Sequence, residues 1–254
     1  MASNFFWYEL MTTDLDAAKD FYTKVVGWTH DTWPGEFPYI IMKPEGSEQG
    51  VGGLMTIPED VKAMGVPPMW LGYIHAADVD AATESLRAAG GKVHREPSDI
   101  PEVGRFSAVA DPQGATFMLM TPNGPDQPPL PAGAPGTIGW HELYTGDWKA
   151  ALDFYSGQFG WTGDEAFDMG EMGTYQLFSV DGKQTGGMMD KPPQAPEPVW
   201  LFYFNVADIN AAAERVKSAG GTVTLGPIEV PGGDHIIQAQ DPQGAMFALM
   251  QRTS

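Results

Sequence analysis

Two short segments hold the residues best placed to do chemistry. Trp7, Glu9 and Met11 alternate along FWYELMT, and Trp140, Glu142 and Tyr144 alternate along GWHELYT. Residues two apart on a strand share a face, so each segment offers an indole and a carboxylate side by side. An ionised carboxylate amid Trp, Leu and Met needs a strand edge, a backbone donor or some other partner. Apolar surroundings raise its pKa, which suits it to be a general base or a ligand-orienting acceptor. Glu9 and Glu142 are therefore the candidate catalytic residues. His75 is a candidate partner for Glu9, but its second-half counterpart is Asn205, so that pairing is written only once. His141 has the opposite parity to Glu142 and is expected off its face. His30, His94 and His235 are expected at the surface. No serine-nucleophile motif or phosphate-cradling glycine loop is present. The chain has no cysteine, which removes disulfides, thiolate metal sites and cysteine nucleophiles and fits a reducing compartment.

These segments recur because the chain is duplicated. An offset of 133 carries Trp7, Glu9, Asp14, Phe21, Tyr22, Gly27 and Trp28 onto Trp140, Glu142, Asp147, Phe154, Tyr155, Gly160 and Trp161. Later in each half the offset is 130, so Trp70, Asp78 and Asp111-Pro112-Gln113-Gly114 match Trp200, Asp208 and Asp241-Pro242-Gln243-Gly244. The expected division is a domain over 1–121, a Pro/Gly-rich linker over 122–137 and a second domain over 138–254. Within each half the pattern strand, helix, three strands appears twice. Asp14 is placed to cap a helix whose Leu15, Ala18, Phe21, Tyr22 and Val25 share one face, and Gly27 ends it. PYIIM, VGGLMTI, MWLGYIHA, KVHREP, RFSAVA and ATFMLM read as strands, with the DPQG turn joining the last two as a hairpin. The fold class is α+β, four β-α-β-β-β units with mixed sheets.

The formal charge of −19 disfavours phosphate backbones and anionic lipid as partners. The start of the chain lacks the basic and apolar regions of a signal peptide, and no run is long enough to span a membrane. A cytoplasmic location is expected, as a monomer or a homodimer.

DLDAAKDFYTKVVGW, AADVDAATESLRAAGGKV, ADPQGATFMLM and their second-half counterparts resemble the vicinal oxygen chelate superfamily of glyoxalases, bleomycin resistance proteins and extradiol dioxygenases. The resemblance covers nearly the whole chain outside the linker. It implies two tandem domains, each a pair of β-α-β-β-β units curling a mixed sheet around a cleft. It also implies a metal ligand seven residues before the helix-opening aspartate, a position held here by Trp7 and Trp140. The carboxylate implied on the last strand is replaced by Met118 and Ala248. Indole nitrogen only donates, and thioether cannot replace imidazole or carboxylate around a divalent ion. No metal and no cofactor are therefore expected. Strand parity makes the candidate ligand-binding residues Trp7, Tyr73, His75 and Met118 in the first domain. In the second they are Trp140, Tyr144, Tyr203 and Met250. An apolar, Met- and aromatic-lined pocket suits a small molecule. Three functions follow: a metal-free binder of a small hydrophobic or aromatic molecule, an enzyme of glyoxalase, dioxygenase or hydroxylase type with Glu9 or Glu142 as general base, or a structural module with filled clefts.

Overall fold

The computed structural model describes residues 2–35, 37–124, 127–193, 195 and 197–253. The first repeat runs β1 (Phe5–Thr12), α1 (Leu15–Val26), β2 (Thr29–Thr32), β3 (Tyr39–Lys43), β4 (Gly52–Thr56), α2 (Glu59–Ala63), β5 (Met69–His75), α3 (Val79–Ala88), β6 (Lys92–Ile100), β7 (Gly104–Ala110) and β8 (Thr116–Pro122). The second runs β9 (Ile138–Thr145), α4 (Trp148–Phe159), β10 (Thr162–Asp168), β11 (Thr174–Val180), β12 (Lys183–Asp190), β13 (Val199–Asn205), α5 (Ile209–Ser218), β14 (Thr222–Glu229), β15 (His235–Gln240) and β16 (Met246–Gln251). A 3-10 turn over Gly170–Met172 precedes β11. The strands form two eight-stranded sheets, ordered β2-β3-β4-β1-β5-β8-β7-β6 and β10-β11-β12-β9-β13-β16-β15-β14. Both are mixed, since β1 runs parallel to β4 and β5 to β8 while the hairpin neighbours are antiparallel. This is the predicted α+β class. The short helix α2 and the 3-10 turn are additions that five- and three-residue segments were too brief to signal.

Every long helix starts the same way. Asp14, Asp78, Asp147 and Asp208 lie in extended backbone, and each side chain accepts the N–H three residues on, from Ala17, Ala81, Ala150 and Ala211. One otherwise orphaned helix donor is satisfied each time, a cap contributing about 1 kcal/mol. Gly27 and Gly160 end α1 and α4 in the left-handed region, with φ of 89° and 73°. A β-carbon is disfavoured there.

Compactness divides the chain differently from the repeats. One unit comprises Met1–Phe6, Leu71–Asp126 and His141–Leu201, and the other Trp7–Trp70, Gln127–Trp140 and Phe202–Ser254. In the first unit the buried Tyr155 hydroxyl donates to Asp111 Oδ2 at 3.2 Å and accepts from Trp200 Nε1 at 3.0 Å. Asp111 Oδ1 accepts the backbone N–H groups of Gln113, Gly114 and Ala115 at 2.8, 2.8 and 3.0 Å. Trp161 stacks on Tyr155 and on Phe178 with centroids 4.9 and 4.6 Å apart. The second unit repeats the group with the partners exchanged. Tyr22 donates to Asp241 Oδ2 at 3.0 Å and accepts from Trp70 Nε1 at 2.9 Å, while Asp241 Oδ1 caps its own turn at Gln243 and Ala245. In both units a helix tyrosine from one repeat satisfies the turn aspartate of the other.

Candidate functional site

The second unit carries Trp7 and Glu9 on β1. Parallel pairing sets Glu9 opposite Gly53 on β4, and antiparallel pairing sets Gly53 opposite Ile41 on β3. Paired residues share a face, and Tyr39, two residues before Ile41, joins it. The Tyr39 hydroxyl hydrogen-bonds the Glu9 carboxylate, and the Trp7 Nε1–H donates to Tyr39 Oη at 3.0 Å. The three side chains form one hydrogen-bonded group. A Cβ at Gly53 would overlap the Tyr39 hydroxyl, so glycine is required for the ring to lie across β4. Burial first, and then the Glu9 charge, push the Tyr39 phenol well above its ordinary pKa, so it stays protonated as a donor. Glu9 is buried at 7% exposure, whereas Trp7 and Tyr39 are half-buried.

Elsewhere in the second unit, Tyr203 pairs with Ala248 and Asn205 with Met250 across β13 and β16, which puts Tyr203 and Met250 on one face as parity predicts. Gln238 Nε2 donates to the Tyr203 hydroxyl at 2.9 Å. Asn205 Nδ2 donates to Thr137 Oγ1 at 2.9 Å. Trp140 belongs to this unit and is half-buried.

The first unit holds Glu142, buried at 6% exposure and paired with Gly187 across β9 and β12. A Cβ at Gly187 would overlap the Tyr175 ring, repeating the relation of Gly53 to Tyr39. Tyr144 pairs with Met189 and is half-buried. Tyr73 pairs with Met118 and His75 with Met120, one shared face as expected. Glu9 and His75 fall in different units: Glu9 is held by Tyr39, and the His75 ring meets Phe6 edge-on at 6.2 Å. His141 lies off the Glu142 face and is buried, stacked on Phe5 at 5.0 Å with Nδ1 2.9 Å from the Thr185 carbonyl. That carbonyl only accepts, so Nδ1 carries the proton and donates. Burial lowers the His141 pKa to about 4. His30 and His94 are exposed, and His235 is half-exposed.

Tyr39 and Tyr175 are the residues the strand pattern did not single out. Their signal was indirect: a glycine opposite each strand glutamate marks a close approach by something. Among the described residues, no three His, Asp or Glu side chains gather into a group able to hold a metal ion. No helix among them is long and apolar enough to cross a membrane.

Four β-α-β-β-β units in two mixed eight-stranded sheets define the vicinal oxygen chelate fold. The chain belongs to the glyoxalase/bleomycin resistance protein/dioxygenase superfamily, whose family model matches residues 4–119 and 137–249. It is 33% identical over 248 residues to a Mycobacterium tuberculosis protein provisionally named glyoxylase CFP32, covering 96% of this chain and 93% of the relative. It is 29% identical over 270 residues to the anthracycline biosynthesis protein DauV of Streptomyces sp. (strain C5), covering 96% and 92%. Among solved structures it resembles the Mn(II)-bound glyoxalase from Novosphingobium aromaticivorans, with a TM-score of 0.68 and 18% identity, covering 98% of this chain and 82% of that one. At that identity the structural likeness shows the fold alone.

Proposed function

We propose that the chain binds a small hydrophobic or aromatic molecule, without a divalent ion, through the strand faces that carry Glu9 and Glu142. The observation that carries this reading is the Trp7–Tyr39–Glu9 group. It places a buried carboxylate in a fixed orientation beneath aromatic rings that keep part of their surface exposed. A face that only filled a core would gain nothing from a carboxylate whose desolvation must be offset. The donor set argues for a metal-free site, because Trp7, Trp140, Met118 and Ala248 offer no imidazole or carboxylate to a divalent ion. Relatives named for anthracycline biosynthesis make an aromatic ligand the class to test first.

A second reading has support from the same group. Tyr39 holds Glu9 in one orientation, as a general base requires. Glu9→Gln and Glu142→Gln would then abolish turnover.

The test uses full-length protein purified without a tag. Elemental analysis is expected to find no stoichiometric nickel, zinc, iron or manganese. Ligand-observed NMR with 1-methylnaphthalene and 1,8-dihydroxyanthraquinone is expected to show saturable binding that weakens in Trp7→Phe. A stoichiometric metal bound through these residues, or no binding of either compound, overturns the reading.

A further inference from the structure

The glutamate faces of the two units differ in the aromatic side chains around them. In the second unit Phe37 meets the Tyr39 ring edge-on at 6.1 Å and 89°, and it remains 42% exposed. With Trp7 hydrogen-bonded to Tyr39, three aromatic rings and the Glu9 carboxylate converge on one face. In the first unit Tyr175 occupies the matching place beside Gly187, but the residue two positions before it is Gly173. The ring at that position is written only once.

We propose that the Trp7–Phe37–Tyr39–Glu9 group selects a cation: a protonated or quaternary amine carried on a planar apolar body. The proposal rests on the small-molecule reading above and narrows its ligand class. Aromatic faces are electron-rich and attract cations directly, most strongly where water is excluded. Glu9 places a carboxylate at the base of the same group. Tyr39 already donates to Glu9 and Trp7 donates to Tyr39, so an incoming cation meets acceptors and ring faces. Lys43 lies on the same face of β3, four residues along, but its ammonium is engaged by Asp31 at 2.8 Å and Glu48 at 3.3 Å. A formal charge of −19 adds a long-range field of the same sign.

Two probes of nearly equal shape isolate the charge: cationic 1-methylquinolinium and neutral 1-methylnaphthalene, each titrated into the full chain by equilibrium dialysis. The cation is expected to bind about ten-fold more tightly. Glu9→Gln should bring the ratio to within about three-fold. Phe37→Gly, which copies the second repeat at an exposed position, should weaken the cation by about three-fold. Glu59→Gln on exposed α2 changes the net charge equally and should leave the ratio intact. Equal affinities in the unaltered protein overturn cation selection and leave the small-molecule reading standing. Failure of both probes to bind overturns cation selection, and failure of 1,8-dihydroxyanthraquinone as well overturns both readings. A cation preference that survives Glu9→Gln and Phe37→Gly removes the assignment to this group. Should Glu9→Gln fail to fold, the Phe37→Gly result decides alone.

Discussion

The two units agree in their buried tyrosine–aspartate–tryptophan groups and differ along their strand faces. Tyr22–Asp241–Trp70 in one and Tyr155–Asp111–Trp200 in the other have the same donors, the same acceptors and distances within 0.2 Å of each other. The strand faces have drifted: Phe37 against Gly173 and Phe6 against Gly139. A buried aspartate that accepts its turn's amides and a phenol is hard to replace, because each abandoned donor would keep its desolvation cost. A side chain with exposed surface carries no such constraint. The molecule thus separates a repeated frame from two strand faces free to diverge.

The largest effect should come from breaking that frame. Asp241→Ala and Asp111→Ala each strand several buried donors, including a phenol, and should lower stability by about 3 kcal/mol. Urea denaturation of the full chain measures both. If the frame is equivalent in the two units, the two losses agree to within about 1 kcal/mol. A difference beyond about 2 kcal/mol would break the equivalence.

Much of this frame was legible in the sequence, and part of it was not. The elements followed from hydrophobic period, four capping aspartates and the DPQG turns, and the repeat exposed the duplication directly. Strand parity placed Tyr73 with Met118 and Tyr203 with Met250's neighbours, as the registers show. The partner of Tyr22 was hidden, since nothing local to α1 says that its hydroxyl will reach the turn of the other repeat. Tyr39 was hidden for a related reason: PYIIM marks a strand, but only the β3–β4–β1 register brings its first ring over Gly53 to Glu9. Long-range pairing decides both contacts, and neither leaves a periodic trace.

A second asymmetry concerns protons. His141 in the first unit matches Tyr8 in the second, a phenol that burial keeps protonated across the ordinary pH range. His141 titrates near pH 4 when folded and near 6.5 when unfolded. Between those values the unfolded chain binds more protons, so stability is lost as pH falls through this window. The loss attributable to this residue is about 3 kcal/mol at its fullest. Burial shifts Asp111 and Asp241 the other way, upward, so the folded state protonates first and they oppose the trend at lower pH. Comparing His141→Phe with the unaltered protein in urea at pH 7 and pH 4.5 isolates the histidine. The variant should show the smaller acid loss, by about 2 kcal/mol. An identical loss in both proteins would show that His141 takes up no proton on unfolding in that range.

The smallest effect tests whether the two glutamate faces share one construction. Gly53→Ala places a methyl against the Tyr39 hydroxyl, and Gly187→Ala places one against the Tyr175 ring. Both rings must shift, and overpacking of this kind costs about 1–2 kcal/mol. In the second unit the shift also pulls Tyr39 Oη from the Trp7 indole, so the Trp7 Nε1–H resonance should move upfield as its hydrogen bond lengthens. Heteronuclear NMR of Gly53→Ala reads that resonance, and urea denaturation reads the cost in both variants. Equal costs with a displaced Trp7 signal would mean that glycine serves both faces alike, clearing space for a tyrosine beside a buried glutamate. An unmoved Trp7 signal would mean that the ring escapes without breaking its bond. The orientation of Glu9 would then be set by the strand rather than by Tyr39.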